Sequence, residues 1–550
     1  MQLNRISLYL KTLRYLKPSQ LYHRVSLSWR KPVQLAVPKV TLRDQPFDWA
    51  QPIERKSSMP SPNTFSFLNL TKDFEVIGWD GGGMERLWLY NLHYFDDLNA
   101  ADAKDRTSSH RALIENWINQ NKSLDGIGWE PYPTSLRIVN WIKWALSGNS
   151  LDQEWLESVA IQTEWLSKRL EFHLLGNHLF ANAKALLFSA VFFDGEQTHS
   201  WWETGAKLIA RELDEQILGD GGHFERSPMY HCIVLEDLLD LYNLCRAYEQ
   251  VMPGMSDLSQ KLLSKITEMV EWLRAMMHPD GDISFFNDSA LGNAPKPAFI
   301  FTYARKLGLS VSKQLLKQSR DLEQTGYIRL ANDHAIALID AAPIGPDYIP
   351  GHAHADTLSF ELSVRGRRIL VNGGTSTYEN TPQRQKERST KSHNTVEING
   401  RNSSDVWDAF RVAHRAKPLA RVCDLGEKSS TVSCSHDGYS SFGRRVHHHR
   451  TWDFQRGKIQ IVDRIEGRNT VGMARFHFHP SIQLKQKSES SWQVEDHDHE
   501  ILFEVIEGFG MVEPSTHSPA FGKIVESQCL CVSLSCGASS VCITWNTTPC

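Results

Sequence analysis

The sequence predicts an α+β multidomain protein in which a helical region precedes a large region of antiparallel β-structure. The spacing of apolar residues changes from a helical to a strand-like period near residue 320, and short breaks with Gly, Pro or Asn separate the periodic segments. A chain of 550 residues is also too long for one ordinary domain. We therefore divide it into a basic helical segment with a connector (1–63), a helical domain (64–320) and a β-sheet domain (321–550).

The first segment is basic and amphipathic. No Asp or Glu occurs before Asp44. The cations that precede it begin with Arg5, Lys11, Arg14, Lys17, Arg24, Arg30 and Lys31. Apolar residues recur at roughly helical spacing at Ile6, Leu10, Leu13 and Leu16. Such a helix could contact an anionic membrane surface, or it could be a first helix that packs on its own domain.

The second region has helical periodicity. Apolar residues at i, i+3, i+4 and i+7 mark RALIENWINQN, SLRIVNWIKWAL, HLFANAKALLFSAVFF and IVLEDLLDLYNLCRAYEQV. The breaks between such segments are short, at 148–150, 194–197 and 253–257. Because short connections join neighbouring antiparallel helices, we expect a series of helix pairs.

The third region alternates apolar and polar residues. Segments rich in Val and Ile end in Gly or Asn turns, as in YIRLANDHAIALIDA, LSFELSVRGRRILVNGG, HNTVEINGR and KIQIVDRIEG. This pattern predicts an extensive antiparallel β-structure. The cleft between a helical and a β region is a usual place for a ligand.

Composition and charge exclude some functions. The formal net charge of −4 lacks the basic excess of nucleic-acid-binding proteins, so we expect no nucleic-acid partner. The 17 Trp, 14 Tyr and 24 Phe suit a protein that stacks rings on sugars, and equally a protein with large cores.

The sequence also predicts a location. It has no recognisable signal peptide and no run of about 18 apolar residues that could span a bilayer. The nine cysteines form no CxxC pair, which favours free thiols in a reducing compartment. We therefore expect the protein in the cytoplasm, or at the inner face of the cytoplasmic membrane, of a bacterium.

Two polar clusters lie in the helical region. In GNHLFANAKAL, Asn177 and His178 stand at the start of a helix, where free N–H groups favour an anion, although Asn177 could simply be an N-cap. In GGHFERSPMYH, Glu225 and Tyr230 precede another helix, and a Tyr at that place is often only packed.

Two further clusters lie in the β region. GHAHADTLSFEL puts His352, His354 and Asp356 at alternate positions, on one face if the stretch is a strand. They could form a metal site, an active-site edge or ordinary surface. SHNTVEING, with His393 and Asn394, follows two arginines that could clamp a carboxylate or be solvated, Arg384 and Arg388.

Taken together, these clusters resemble the heparinase II/III-like family of polysaccharide lyases. The resemblance runs from about Trp88 to the end of the β region and rests on WEPYPTSLRIVNW, GNHLFANAKAL, GGHFERSPMYH, GHAHADTLSFEL, GGTSTYE and SHNTVEING. Each motif is modest, but their order and spacing together are specific. The resemblance implies an incomplete (α/α) toroid followed by a large antiparallel β-sheet domain, a β-sandwich.

The resemblance also implies roles for individual residues. Asn177 and His178 would neutralise the carboxylate of a uronic acid, Tyr230 would serve as general acid or as both acid and base, and His352 would be catalytic. Further contacts with the substrate are expected from Arg137, Glu225, Tyr378, Arg384, Arg388 and Asn394.

A structural zinc ion is implied as well. The second His of the HAH run and the His of SHN are ligands in zinc-containing members, which assigns His354 and His393 here. The Asp that precedes the GG turn in those members is replaced by Asn372, and a neutral amide is a much poorer ligand for Zn²⁺. Asp356 could take its place, although a structural role is the simpler interpretation.

We expect from these roles a lyase that cleaves a uronic-acid-containing polysaccharide by β-elimination. The reaction needs neutralisation of the carboxylate, removal of the C5 proton by a base and protonation of the leaving O4 by an acid. A uronyl C5-epimerase acting on a surface polysaccharide or exopolysaccharide would use the same residues. A non-catalytic polysaccharide-binding protein is a third hypothesis. The expected partner is an anionic polysaccharide, and the sequence leaves the oligomeric state open.

Overall fold

The computed structural model describes residues 2–28, 35–44, 46, 48–312, 314–442, 446–467, 470–495 and 500–547. Helices give way to strands between Lys306 and Arg320, next to the domain boundary that the sequence predicts. Arg30 and Lys31 of the basic segment lie outside the described residues.

The first half is mainly helical. Its helices are α1 (Gln2–Leu13), α2 (Pro18–Ser28), α3 (Phe74–Ile77), α4 (Arg86–Tyr94), α5 (Thr107–Gln120), α6 (Pro131–Leu146), α7 (Gln153–Ser167), α8 (Gly176–Phe192), α9 (Glu196–Gln216), α10 (Pro228–Ala247), α11 (Met255–Met276) and α12 (Pro297–Lys306). Its short strands are β1 (Thr41–Leu42), β2 (Thr64–Phe67), β3 (Leu70–Asp73) and β4 (Phe193–Asp194).

Consecutive helices pack on one another as an incomplete α/α toroid, which confirms the predicted architecture. Helix α6 contacts α7 and α8, α8 contacts α9, and α10 contacts α11. Their apolar faces form one core, in which Trp141, Phe188 and Leu238 are fully buried. None of the described helices combines the length and the apolar character that crossing a bilayer requires.

The second half is mainly β-structure. Its strands are β5 (Arg320–Leu322), β6 (Tyr327–Ala331), β7 (Ala335–Asp340), β8 (Phe360–Val364), β9 (Arg367–Leu370), β10 (Val396–Ile398), β11 (Val406–Trp407), β12 (Arg411–Val412), β13 (Pro418–Leu425), β14 (Ser429–His436), β15 (His447–Gln455), β16 (Lys458–Glu466), β17 (Gly472–His477), β18 (Leu484–Ser488), β19 (Ser491–Val494), β20 (Ile501–Glu507), β21 (Phe509–Ala520), β22 (Lys523–Ser533) and β23 (Ala538–Trp545). One short helix, α13 (Pro382–Glu387), interrupts them.

The strands form three larger antiparallel sheets. An eight-stranded sheet has the order β13-β14-β15-β16-β23-β20-β19-β18, a five-stranded sheet runs from β5 to β9 in sequence order, and a four-stranded sheet has the order β10-β17-β22-β21. Alternate residues of the strands, among them Phe360, Trp452 and Phe476, meet in one core between the sheets. This layered packing is the predicted β-sandwich arrangement.

The structure corrects one local prediction. The stretch 351–362 is not a single strand, because β8 begins only at Phe360 and Leu358 has a φ of 63°. The residues before it bond to another loop instead of to a neighbouring strand: the N–H of His354 donates to Asn287 Oδ1 (3.0 Å), and the N–H of Asp288 donates to the His352 carbonyl (2.9 Å). The two histidines are therefore held by the loop 287–288.

Candidate active site

A cavity of about 490 Å³ lies between the helical half and the β half. Helices α4, α6, α8 and α10 supply most of its wall, and Ile349, Tyr378 and Phe410 close it from the β half. The structure brings all four predicted catalytic residues to this cavity, namely Asn177, His178, Tyr230 and His352.

The start of α8 presents two of these residues. Leu175 and Gly176 both have positive φ values, 64° and 55°, which turn the chain sharply into the helix. A Cβ atom on Gly176 would lie only 3.1 Å from Glu225 Oε1, so the position favours glycine. Asn177 and His178 then occupy the first helical turn, where unpaired N–H groups and the helix dipole favour a bound anion.

A carboxylate favours the charged form of His178. Its Nδ1 lies 3.1 Å from Glu171 Oε1, and its ring lies against Tyr132 at a centroid distance of 4.5 Å. Burial lowers the pKa of His178, but Glu171, followed by Glu225 and Glu130, raises it by more, so the net pKa lies above the ordinary value. A cationic His178 beside Asn177 can neutralise a carboxylate. The sequence analysis did not identify Glu171.

Tyr230 is held in its neutral form. It stands in the first turn of α10, where the N–H of Tyr230 donates to Ser227 Oγ (3.1 Å), and its hydroxyl lies 3.2 Å from the Tyr378 hydroxyl. Burial, followed by the effect of Tyr378, raises the pKa of Tyr230 well above its ordinary value. The phenol therefore keeps its proton near neutral pH and can donate it.

His352 stacks on Tyr230 and is oriented by Asp288. The two rings lie 3.9 Å apart, and His352 Nδ1 lies 2.9 Å from Asp288 Oδ2. Burial opposes ionisation of Asp288, but Arg384, His352 and His354 outweigh it and hold the pKa of that carboxyl well below its ordinary range. An ionised Asp288 accepts the Nδ1 proton, which leaves Nε2 of His352 free to act as a base.

Asp288 is the main site residue that the sequence analysis missed. It joins both histidines of the HAH run, since His354 Nε2 lies 2.9 Å from its Oδ1, and it forms a two-pronged ion pair with Arg384 (2.7 Å to Oδ2). Its place directly after an apolar run, in SFFNDSA, is the only signal in the sequence, and many loop aspartates share it.

Glu225 places a carboxyl group beside His352 in the cavity. It is 3% exposed, and neither of its side-chain oxygens has a hydrogen-bond partner among the described residues. Its Oε2 lies 3.8 Å from His352 Nε2. Burial raises the pKa of Glu225, although His352 and His178 oppose that effect. Glu225 and Tyr378 both line the cavity, and their positions are compatible with the predicted contacts with the substrate.

The structure does not bring the other four predicted substrate contacts to the cavity. Arg137 is buried, stacks over Trp117 and donates to Gln162 Oε1 (2.8 Å). The guanidinium of Arg384 forms an ion pair with Asp288. Arg388 donates to the backbone carbonyl groups of Ala353 and Asp408. The side chain of Asn394 donates to the carbonyl of Phe360 (2.8 Å). Arg384, Arg388 and Asn394 therefore hold segments around the site, whereas Arg137 packs between helices of the helical half.

The predicted metal ligands lie close together but form an incomplete set. His354 Nδ1 and His393 Nε2 are 3.1 Å apart, and their other ring nitrogens contact Asp288 and the Ser389 carbonyl. The Asn372 side-chain oxygen accepts the N–H of Asn394 (3.0 Å), so it is already used. A structural zinc site needs four ligands. The residues here offer two nitrogens and do not fit one.

Comparisons with known proteins agree with this architecture. The family model described as Heparinase II/III N-terminus matches residues 92–305, and the model described as Heparinase II/III-like, C-terminal, matches residues 314–546. Together they cover the helical and β regions in the order that the sequence motifs predict.

Two relatives carry the name heparin-sulfate lyase. The protein from Bacteroides stercoris is 24% identical over 306 residues, which are 50% of this chain and 44% of that protein. The protein from Pedobacter heparinus is 24% identical over 274 residues, which are 45% of this chain and 40% of that protein. The matched part thus spans less than half the length of either relative.

Solved structures show the same fold. A crystal structure of heparinase III matches 84% of this chain and 76% of its own with a TM-score of 0.65 and 17% identity. The heparan sulfate lyase HepC from Pedobacter heparinus matches 96% of this chain and 87% of its own with a TM-score of 0.58 and 17% identity. With matching family models over both halves and this shared fold, the chain belongs to the heparinase II/III-like family.

Proposed function

We propose that the protein is a polysaccharide lyase that cleaves a uronic-acid-containing polysaccharide by β-elimination. The observation that carries this proposal is the stack of His352 on Tyr230, at 3.9 Å, in a cavity that also holds Asn177 and His178. This arrangement offers an oriented base, a neutral phenolic acid and a positively charged anion site within one cavity.

Each group has one step in the proposed reaction. Asn177 and the cationic His178 bind the uronate carboxylate and stabilise the negative charge that grows on it when C5 loses its proton. The free Nε2 of His352 takes that proton, and Asp288 stabilises the imidazolium that results. The C4–O4 bond then breaks, a C4–C5 double bond forms, and Tyr230 gives its proton to the departing O4.

The geometry favours elimination over epimerisation. Because the rings of His352 and Tyr230 are stacked, both groups reach a bound sugar from the same side. An elimination can use an acid and a base on one side, whereas inversion at C5 needs a proton donor on the opposite side. We therefore place the C5-epimerase second.

The substrate we propose is an anionic polysaccharide with few sulfate groups. The relatives are named heparin-sulfate lyases, which suggests a uronate polymer. The arginines and lysines that line the cavity are already paired with carboxylates: Arg55 with Glu236, Arg86 with Glu130, and Lys143 and Lys184 with Asp240. A sulfate group would have to compete with these ion pairs.

One assay separates the three functions. The protein is incubated in D₂O with a panel of uronate polymers that differ in sulfation. A lyase produces new ultraviolet absorbance from the unsaturated uronate, most strongly on polymers of low sulfation. Deuterium at C5 without chain cleavage would indicate an epimerase. Binding without either product, on every polymer, would leave only the polysaccharide-binding protein.

Two sequence predictions remain separate proposals. The reaction above uses no metal, and metal analysis of the purified protein tests whether His354 and His393 bind zinc in spite of their incomplete ligand set. The membrane contact that the basic N-terminus predicts is independent of the chemistry, because α1 and α2 contribute no residue to the cavity wall.

A further inference from the structure

The first two helices expose an unusual amount of apolar surface. On α1, the exposed fractions are 56% for Ile6, 65% for Leu10 and 44% for Leu13. On α2, they are 44% for Leu21, 70% for Tyr22 and 58% for Val25. We call these six residues the N-terminal apolar face. Ile6, Leu10 and Leu13 follow i, i+4, i+7 spacing, so they share one side of α1.

The other sides of α1 and α2, which combine polar, aliphatic and aromatic groups, attach the helices to the rest of the protein. Trp407 Nε1 donates to Thr12 Oγ1 (3.2 Å), and the Arg415 guanidinium lies 3.7 Å from the centre of the Tyr15 ring. His23 stacks on Phe172 at 4.9 Å. Both helices therefore contact the protein with one side and turn an apolar side to solvent, whereas ordinary surface helices bury their apolar side.

The charged residues before Asp44 all have one sign, and Glu215 of α9 pairs with one of them, Lys17. Arg5, Arg14 and Arg24 are exposed, and no acidic residue occurs before Asp44. A second copy of the chain is a poor occupant, because a symmetric contact would bring these arginines together without a carboxylate from the same segment to offset them. A bilayer with anionic headgroups satisfies both the apolar side chains and the cations.

We propose that the N-terminal apolar face docks on an anionic membrane surface, with its apolar side chains in the headgroup–acyl boundary and Arg5, Arg14 and Arg24 against the headgroups. This docking would bring the cavity near the bilayer. Lys17 stacks over Tyr348, which directly precedes Ile349 of the cavity wall. Arg411, which directly follows Phe410 of the cavity wall, stacks over Tyr9 of α1. The protein would then act on polysaccharide close to a membrane, in keeping with the location predicted from its sequence.

Vesicle co-sedimentation tests the proposal with the full chain. We expect the protein to sediment with vesicles of equal parts phosphatidylglycerol and phosphatidylcholine and to stay in solution with phosphatidylcholine alone. The triple variant Arg5→Gln, Arg14→Gln, Arg24→Gln should bind roughly 100-fold more weakly, at about fivefold per cation. The triple variant Ile6→Ser, Leu10→Ser, Val25→Ser should lose at least about tenfold.

A matched control removes exposed apolar side chains elsewhere. Val76→Ser, Val471→Ser and Ile524→Ser change residues that are 83%, 70% and 50% exposed, and this triple variant should bind vesicles as the unmodified protein does. All three triple variants should keep their rates on soluble polymer.

The proposal is overturned if the unmodified protein stays in solution with anionic vesicles, or if the Ile6, Leu10, Val25 variant binds them undiminished. A concentration-dependent dimer that this variant abolishes, without vesicle binding by the unmodified protein, would assign the surface to a second copy of the chain.

Discussion

Tyr230 and His352 are suited to different roles because their neighbours differ. Tyr230 is buried and faces another hydroxyl group, that of Tyr378, and both raise its pKa, which keeps the phenol protonated. His352 has an ionised carboxylate on one nitrogen and the cavity on the other. For the proposed elimination, these neighbours favour the tyrosine as the acid and the histidine as the base, which residue types alone left open.

Replacing Tyr230 with Phe should abolish most of the elimination. The variant loses only the proton donor for O4, so we expect kcat to fall by about 10² to 10⁴ while binding of the polymer is kept. The measurement is the initial rate of new ultraviolet absorbance. Tyr378→Phe is the matched control, because it removes the partner hydroxyl in the same hydrogen bond, and it should cost less than about tenfold. Equal losses in the two variants would contradict the assignment of Tyr230.

Replacing Glu171 with Gln should shift the pH dependence of the reaction. Glu171 is the main group that raises the pKa of His178, so its loss lowers that pKa. Because His178 acts as a cation, the alkaline limb of kcat/KM should move to lower pH, with the acid limb unchanged. Glu164→Gln is the control: this buried carboxylate accepts from Trp201 and Gln197 and contacts no histidine in the hydrogen bonds described. An unmoved alkaline limb in Glu171→Gln would exclude His178 as the cation.

At the scale of elements, periodic segments could be predicted from the sequence and irregular ones could not. The segments around α6, α8 and α10 show helical spacing because one face of each packs in the toroid core. The stretch 352–359 alternates like a strand, yet its alternation reflects two histidines that reach one carboxylate, Asp288. That carboxylate is 64 residues away from His352 in the chain, and no local pattern reveals such a contact.

The helices around the cavity are joined by a buried ionic cluster. Asp240 of α10 accepts from Lys143 of α6 (3.0 Å) and Lys184 of α8 (2.7 Å), and it is 1% exposed. Burial opposes ionisation of Asp240, but the two lysines hold its pKa at about 2. The three helices that carry the active site are therefore fixed to one another by a single carboxylate and its partners.

Replacing Asp240 with Asn should destabilise the helical half. The buried Lys143 would lose its ion pair, and Lys184 would keep only its pair with Asp237, which costs about 3–5 kcal/mol in the free energy of unfolding. Urea unfolding followed by tryptophan fluorescence measures this loss. Asp214→Asn, which breaks an exposed pair with Lys261, should cost about 1 kcal/mol or less. Similar costs for the two variants would show that the buried cluster does not stabilise the helices.

At the scale of the whole molecule, two ion pairs tie the loop 280–288 to the β half. Asp288 pairs with Arg384, and both side chains are fully buried, whereas Asp280 pairs with Arg368 and is 40% exposed. The sequence predicted the two halves and the cleft between them. It could not predict this connection, because Arg384 resembled a substrate clamp as long as its partner was unknown.

Replacing Asp288 with Asn should therefore weaken the joint between the halves as well as the reaction. The buried Arg384 would lose its counter-charge, so we expect a loss of about 3–5 kcal/mol and, in calorimetry, a single unfolding transition that separates into two. Asp280→Asn should lower the stability by about 1 kcal/mol or less and leave one transition, since water can reach that carboxylate. If Asp288→Asn unfolds in one transition at an unchanged temperature, packing and not this ion pair holds the two halves together.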